Sequence, residues 1–249
     1  MDKIDKLVEI LERLNAGESP DAVREEAQAF LAEVDPMELS IAEQKLIQAG
    51  MAPEDLRHLC SMHMEMLKGE LEKMTSKLEV GHVIDTLVKE HEMILRFLDK
   101  LEETNQEIQK LDAYDSSNEV FAKLLHIAEH LIGAEPHHQR EEQVLFPEVE
   151  SRGVTGPTRI MVMEHEDLRR YKHDIQNLAK DVANMDFTEF KNRLKASSNL
   201  LIMTLRDHIF KENNFLYPTS LEVIKDAEDW KKLKEACDKI GYCCFTPEN

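Results

Sequence analysis

The chain has 249 residues, with 50 acidic against 31 basic side chains and a formal charge of −19, a balance that speaks against nucleic acid or an anionic membrane as partner, since either needs a basic surface. Sparse Gly, Pro and aromatic residues beside abundant Glu, Leu, Lys, Met and Ala read as an all-α protein. No apolar run of 18 residues and no signal peptide is visible, so a cytoplasmic location is expected, and the four Cys read as thiols rather than a disulfide framework.

In chain order, residues 1–78 are expected to form a small helical domain. A first helix covers residues 3 to about 15, with Ile4, Leu7, Val8, Leu11 and Leu14 along one stripe. Ser19-Pro20 opens a second, Asp35-Pro36 a third that ends near Gly50, and Pro53 a fourth running toward Met74. Cys60 and His63 share a face of that fourth helix, too few ligands for a metal unless the tail cysteines join them.

A second domain, residues 79–223, reads as an up-down four-helix bundle. Its helices are expected over about 82–108, 118–150, 158–184 and from 187 past His208. The second should kink near 133–136, because a proline inside a helix clashes with the preceding turn. Residues 224–249 add a helix over 230–240 and a tail with Cys237, Cys243 and Cys244, for which packed, inert thiols are the plainer reading.

The chemistry lies in a repeat. HHQREEQVLFP, from His137, returns as HIFKENNFLYP, from His208, and each copy is preceded by EHE, around His91 and around His165. His91 stands 46 residues before His137 and His165 stands 43 before His208. Residues four apart lie on one helix face about 6 Å apart, so His137 with Glu141, and His208 with Glu212, can point into one cavity. His91 and His165 add one nitrogen each from the other two helices. Four imidazoles and two carboxylates suit neither a closed thiolate zinc site nor an all-oxygen calcium or magnesium shell; they favour iron, with manganese or zinc as competitors.

His138 and Glu142 also stand four apart, but their counterparts in the second copy are Ile209 and Asn213, so the repeat selects His137 and Glu141. On this frame His138 falls off the inward stripe, and replacing it should leave metal content unchanged. His173 falls off it too, and His82 reads as a helix start. His130 lies seven residues, two turns, before His137, and His126 one turn earlier still; they are read as structural or surface residues, with a hydrogen bond to a ligand or direct metal contact the sharper alternative. Met161, Phe146, Leu216 and Tyr217 are candidates to line the pocket, though ordinary core packing accounts for such a stripe.

These six positions, their order and the trailing Leu-aromatic-Pro make the region from Gly81 to Val223 resemble a hemerythrin-like, cation-binding domain. It is similar in particular to the branch that includes repair-of-iron-centres proteins. The resemblance implies a non-haem di-iron centre, oxo- or hydroxo-bridged, held by His91, His137, Glu141, His165, His208 and Glu212, with the two Glu as bridges. One departure stands out: four residues after His165 comes Arg169, not a second His, which implies an extra open iron position. LIQAGMAPEDLRHLCSMH in the first domain resembles an uncharacterised helical domain found ahead of such bundles, a place for a protein partner.

Two Fe(II) ions and two Glu leave a net +2, which favours binding O2 or NO. The first expectation is therefore a module that binds or senses one of these gases. The alternative is an enzyme reducing NO or peroxide, or a protein that repairs iron-sulfur centres or donates iron.

Overall fold

The computed structural model describes residues 6, 8, 9, 13 and 78–247, and the expected helices and ligands of residues 14–77, Cys60 and His63 among them, lie outside that set. Among the described residues the chain is helical. α1 spans Val83–Gln109, α2 Glu119–Ile132, α3 Glu135–Arg140, α4 Phe146–Ser151, α5 Gly156–Asp181, α6 Phe187–Lys211, α7 Tyr217–Val223 and α8 Ala227–Ile240. A wide π turn, Glu141–Leu145, joins α3 to α4, and a second, Glu212–Leu216, joins α6 to α7.

The helices start where side chains can satisfy the free backbone N–H groups of a first turn. Asn118 accepts from Val120 at α2, Asp186 from Glu189 at α6 and Asp226 from Glu228 at α8. His82 does the same for α1 through Nδ1, in the helix-start role expected of it. The expected break in the second helix falls at Gly133 and Ala134, between α2 and α3. A Cβ at Gly133 would stand 3.2 Å from the Glu129 carbonyl of the preceding turn, a tight contact relieved by a shift of a few tenths of an ångström.

Both wide turns precede a proline at the same place, Pro147 and Pro218. A proline ring presses on the carbonyl four residues back and supplies no N–H, and opening the helix by one residue relieves that clash. The next residue's N–H then reaches five residues back: Phe146 bonds Glu141, and Tyr217 bonds Glu212.

α1 packs against α2 and α6, and α5 against the same two, closing a four-helix bundle; α8 lies across α1, α3 and the first wide turn. The apolar stripes form two layers. One holds Ile84, Leu87, Leu145, Phe146, Leu216 and Leu233; the other holds Ile94, Leu98, Leu101, Leu124, Leu168, Leu194 and Leu205. Val8 packs, partly buried, against the first layer. Each fully buried Leu or Ile contributes roughly 1.5–3 kcal/mol. Between the layers runs a polar slab: on α1 Glu90 and His91 separate Leu87 from Ile94, and on α5 Glu164 and His165 separate Met161 from Leu168. No described helix is long and apolar enough to cross a membrane.

Candidate metal centre

The slab is where the repeat converges. His91 comes from α1, His137 from α3, His165 from α5 and His208 from α6, while Glu141 and Glu212 are the first residues of the two wide turns. All six side-chain-bearing residues are 2% exposed or less. Glu212 Oε2 is 3.0 Å from His91 Nε2, and its Oε1 is 2.9 Å from His208 Nε2 and 3.4 Å from His165 Nε2. Glu141 Oε2 lies 3.5 Å from both His137 Nε2 and His165 Nε2.

Each of these imidazoles turns Nδ1 outward to a partner and Nε2 inward. His137 meets Glu90 at 2.7 Å, His208 meets Glu164 at 2.8 Å, His165 meets Glu142 at 2.8 Å and His91 meets Asn213 at 2.8 Å. A partner on Nδ1 fixes ring orientation and tautomer and leaves the Nε2 lone pair free to bind a cation. The outer carboxylates are themselves neutralised: Arg140 donates to Glu90 at 2.7 Å, Lys211 pairs with Glu164, and Arg169 lies 3.0 Å from Glu142.

The inward atoms fit cations better than they fit one another. Glu141 Oε2, Glu212 Oε2 and His208 Nε2 are buried without a hydrogen-bond partner; the close approaches of the last two, at 3.0 and 2.9 Å, lack hydrogen-bond geometry. Among the described residues, donor atoms lie within 4.8 Å of one another in three sets: His91, His137 and Glu212; Glu141, His165 and Glu212; and His138, His165 and His208. Two cation positions sharing the carboxylates would satisfy every one of the orphaned atoms among the six.

The electrostatics agree. Burial, then the negative charge of Glu212, pushes Glu141 well above the usual carboxylate range. Burial acts on Glu212 in the same direction but is outweighed by the charge of His208 and the close imidazoles of His165 and His91, which hold it well below. Burial lowers His208, yet Glu212 and Glu164 outweigh it and raise the imidazole to about 9. Burial takes His137 down to about 4, against the pull of Glu90. Glu90, although burial opposes it, is held at about 2 by His137 and Arg140. Glu141 and His208 are thus the two groups shifted toward holding a proton, where cations would otherwise compensate the crowded charge.

Tyr217, a pocket-lining candidate from the sequence, is fully buried. Its hydroxyl donates to Glu141 Oε1 at 2.8 Å and lies 3.4 and 3.5 Å from Nε2 of His91 and His137. Phe146, its counterpart in the first copy, stacks on His165 with ring centroids 5.9 Å apart.

One expectation is corrected. His138 does not fall outside the inward face: it is 2% exposed and its ring stacks on His165 at 4.0 Å and 8°. The reason is helical phase, since His138 precedes Glu141 by three residues as His137 does by four, and both spacings share a face. Other histidines follow the plainer reading. His173 is exposed. His126 and His130 pair with each other at 3.1 Å, His130 Nδ1 lies 3.4 Å from Cys244 Sγ, and neither enters a donor set. Cys237 and Cys243 are buried and Cys244 is exposed; burial raises the first two thiols to about 11 and about 12, so they keep their protons near neutrality.

The supporting roles of Glu90, Glu142, Glu164, Asn213, Arg140 and Lys211 were not assigned from the sequence, where Glu142 was weighed only as a ligand paired with His138. Their signal was present: the Glu before each EHE histidine, the base three residues after His137 and His208, and the polar residue after Glu141 and Glu212 all repeat.

The sequence model of the hemerythrin HHE cation-binding domain matches residues 82–220, more than half of the chain. A family of unknown function (DUF438) matches residues 7–73. No curated protein matches the chain.

Proposed function

The chain belongs to the hemerythrin HHE cation-binding domain family, and on that premise we propose that its bundle holds two iron ions and binds or senses O2 or NO. His91 and His137 would hold one ion, His165 and His208 the other, and Glu141 and Glu212 would span both. Imidazole nitrogen mixed with carboxylate oxygen and open positions suits iron, with manganese or zinc as competitors. Ferrous iron in such a shell supplies electron density and open positions for a diatomic ligand.

The single observation that carries this reading is burial. Every ligand candidate is 2% exposed or less, which bars a protein-bound cluster or an organic substrate far more than a diatomic molecule. The Tyr217 hydroxyl, beside His91 and His137, can donate to a small ligand on that side by turning its one proton away from Glu141. The alternative, turnover of NO or peroxide, needs an electron donor; the protonated Cys237 and Cys243 are poor candidates for that role.

The test is anaerobic purification with metal analysis, followed by absorption spectra before and after separate additions of O2 and NO. Two irons per chain and a reversible spectral change with one gas are expected. Fewer than two ions, or continuous consumption of NO or peroxide with an added reductant, would overturn it.

A further inference from the structure

The two cation positions are not equivalent. We propose that His138 is a third imidazole ligand on the side of His165 and His208, so that one position takes three histidines and the other, with His91 and His137, takes two. The inference rests on the two-metal reading above.

Successive residues of a helix diverge by about 100°. His137 and His138 therefore straddle the direction of Glu141, one leaning toward α1 and the other toward α5. The contacts follow that split. The His137 ring lies 4.7 Å from that of His91, whereas His138 stacks at 4.0 Å on His165 and lies 6.3 Å from the ring of His208. One nitrogen of His138 falls within 4.8 Å of the donor atoms of both His165 and His208.

Its polar atoms are poorly served by the protein. The four histidines of the expected set each hold a partner on Nδ1 at 2.7–2.8 Å. His138 Nδ1 is buried with no hydrogen bond, and the nearest carboxylate oxygen, on Glu135, is 3.8 Å away. Nε2 has a long contact of 3.4 Å with Lys172 Nζ. A buried imidazole so placed lacks what a structural histidine normally has. α5 cannot supply a third ring itself, because Arg169, one turn beyond His165, faces away to Glu135 and Glu142. His138 fills that face from the neighbouring helix, so the extra open position implied by Arg169 is closed. In the second copy the equivalent residue is the buried Ile209, so the two-histidine side gains nothing comparable.

The experiment uses the full chain loaded anaerobically with ferrous iron. X-ray absorption at the iron edge should count five imidazoles over two ions in the wild-type protein, against four if His138 is not a ligand. His138→Gln and His138→Ala should keep the fold and melting behaviour, lose one imidazole from that count, and bind one ion at least tenfold more weakly. Added free imidazole should restore the second ion to His138→Ala. His126→Ala, a surface change, should alter none of these. Wild-type loading with two ions and only four imidazoles, or His138 variants holding both ions at wild-type affinity, overturns the inference and leaves the two-metal reading standing. Fewer than two ions in the wild-type protein overturns both.

Discussion

The two halves of the repeat, α1 to α4 and α5 to α7, share one plan, and four of their differences bear on the centre. In each, a Glu beside the histidine of the first helix holds the histidine of the second: Glu90 holds His137, and Glu164 holds His208. In each, a base neutralises that Glu, Arg140 in one and Lys211 in the other. The differences are His138 against Ile209, Phe146 against Tyr217, Glu142 against Asn213, and the cover over the outer pair. Cys243, Tyr242 and Thr246 reach Arg140 and Glu90, while Asp207 pairs with Lys211 at 2.9 Å. A backbone plan built for symmetry thus carries an asymmetric chemistry through a few side chains. His165 leans on a carboxylate and His91 on a neutral amide, so the former is the more electron-rich ring.

The comparison breaks most completely at the shared residues. Glu141→Ala and Glu212→Ala should each lose both ions, read by metal analysis of the folded variants. A variant that kept both would place the carboxylate outside the centre.

Acidity should act nearly as strongly. Loading must displace the proton on His208, whose imidazole is raised to about 9, and the upward shift of Glu141 adds to the same competition. Affinity should therefore rise as pH rises toward 9, by about tenfold per pH unit for each proton displaced. Proton release on adding iron to unbuffered protein measures this directly. In the metal-free protein the sign is reversed: the raised His208 value contributes stability that is full below 6.5 and lost as pH climbs through about 9.

Separating the halves comes next in size. Glu90→Gln should weaken the position of His91 and His137, and Glu164→Gln that of His165 and His208, each by about 10–100-fold. Chelator competition resolves the two ions; equal weakening of both by either change would show that the positions are not independent. Tyr217→Phe should have the smallest effect on metal content. It removes one hydrogen bond, about 1 kcal/mol of stability in chemical denaturation, and should instead shorten the lifetime of a bound gas.

Much of this was legible in the sequence, and for a definite reason. Ligand spacing of four, repeated in two copies, converts directly into a shared helix face, and the six positions converge as that spacing implies. The bundle followed from apolar periodicity, and the break near Gly133 from Pro136. What could not be read is what crosses between helices. Glu90 stands 47 residues from His137, and Asn213 stands 122 from His91, so no local pattern ties them. His138 was misplaced because a single best stripe was assigned to a helix whose core face is wide enough for two neighbouring residues.

The two wide turns set a limit of their own. Each inserts a residue and so rotates everything after it by about 100° relative to a regular helix. Glu141 and Glu212 are the pivots of that rotation, and Leu145, Phe146, Leu216 and Tyr217 face inward because of it. Trimming one residue at the exposed Gln143 would leave the ligands upstream untouched yet swing an entire apolar end of the bundle toward water. Length at these two points is therefore as stringent a requirement as the identity of any single donor atom.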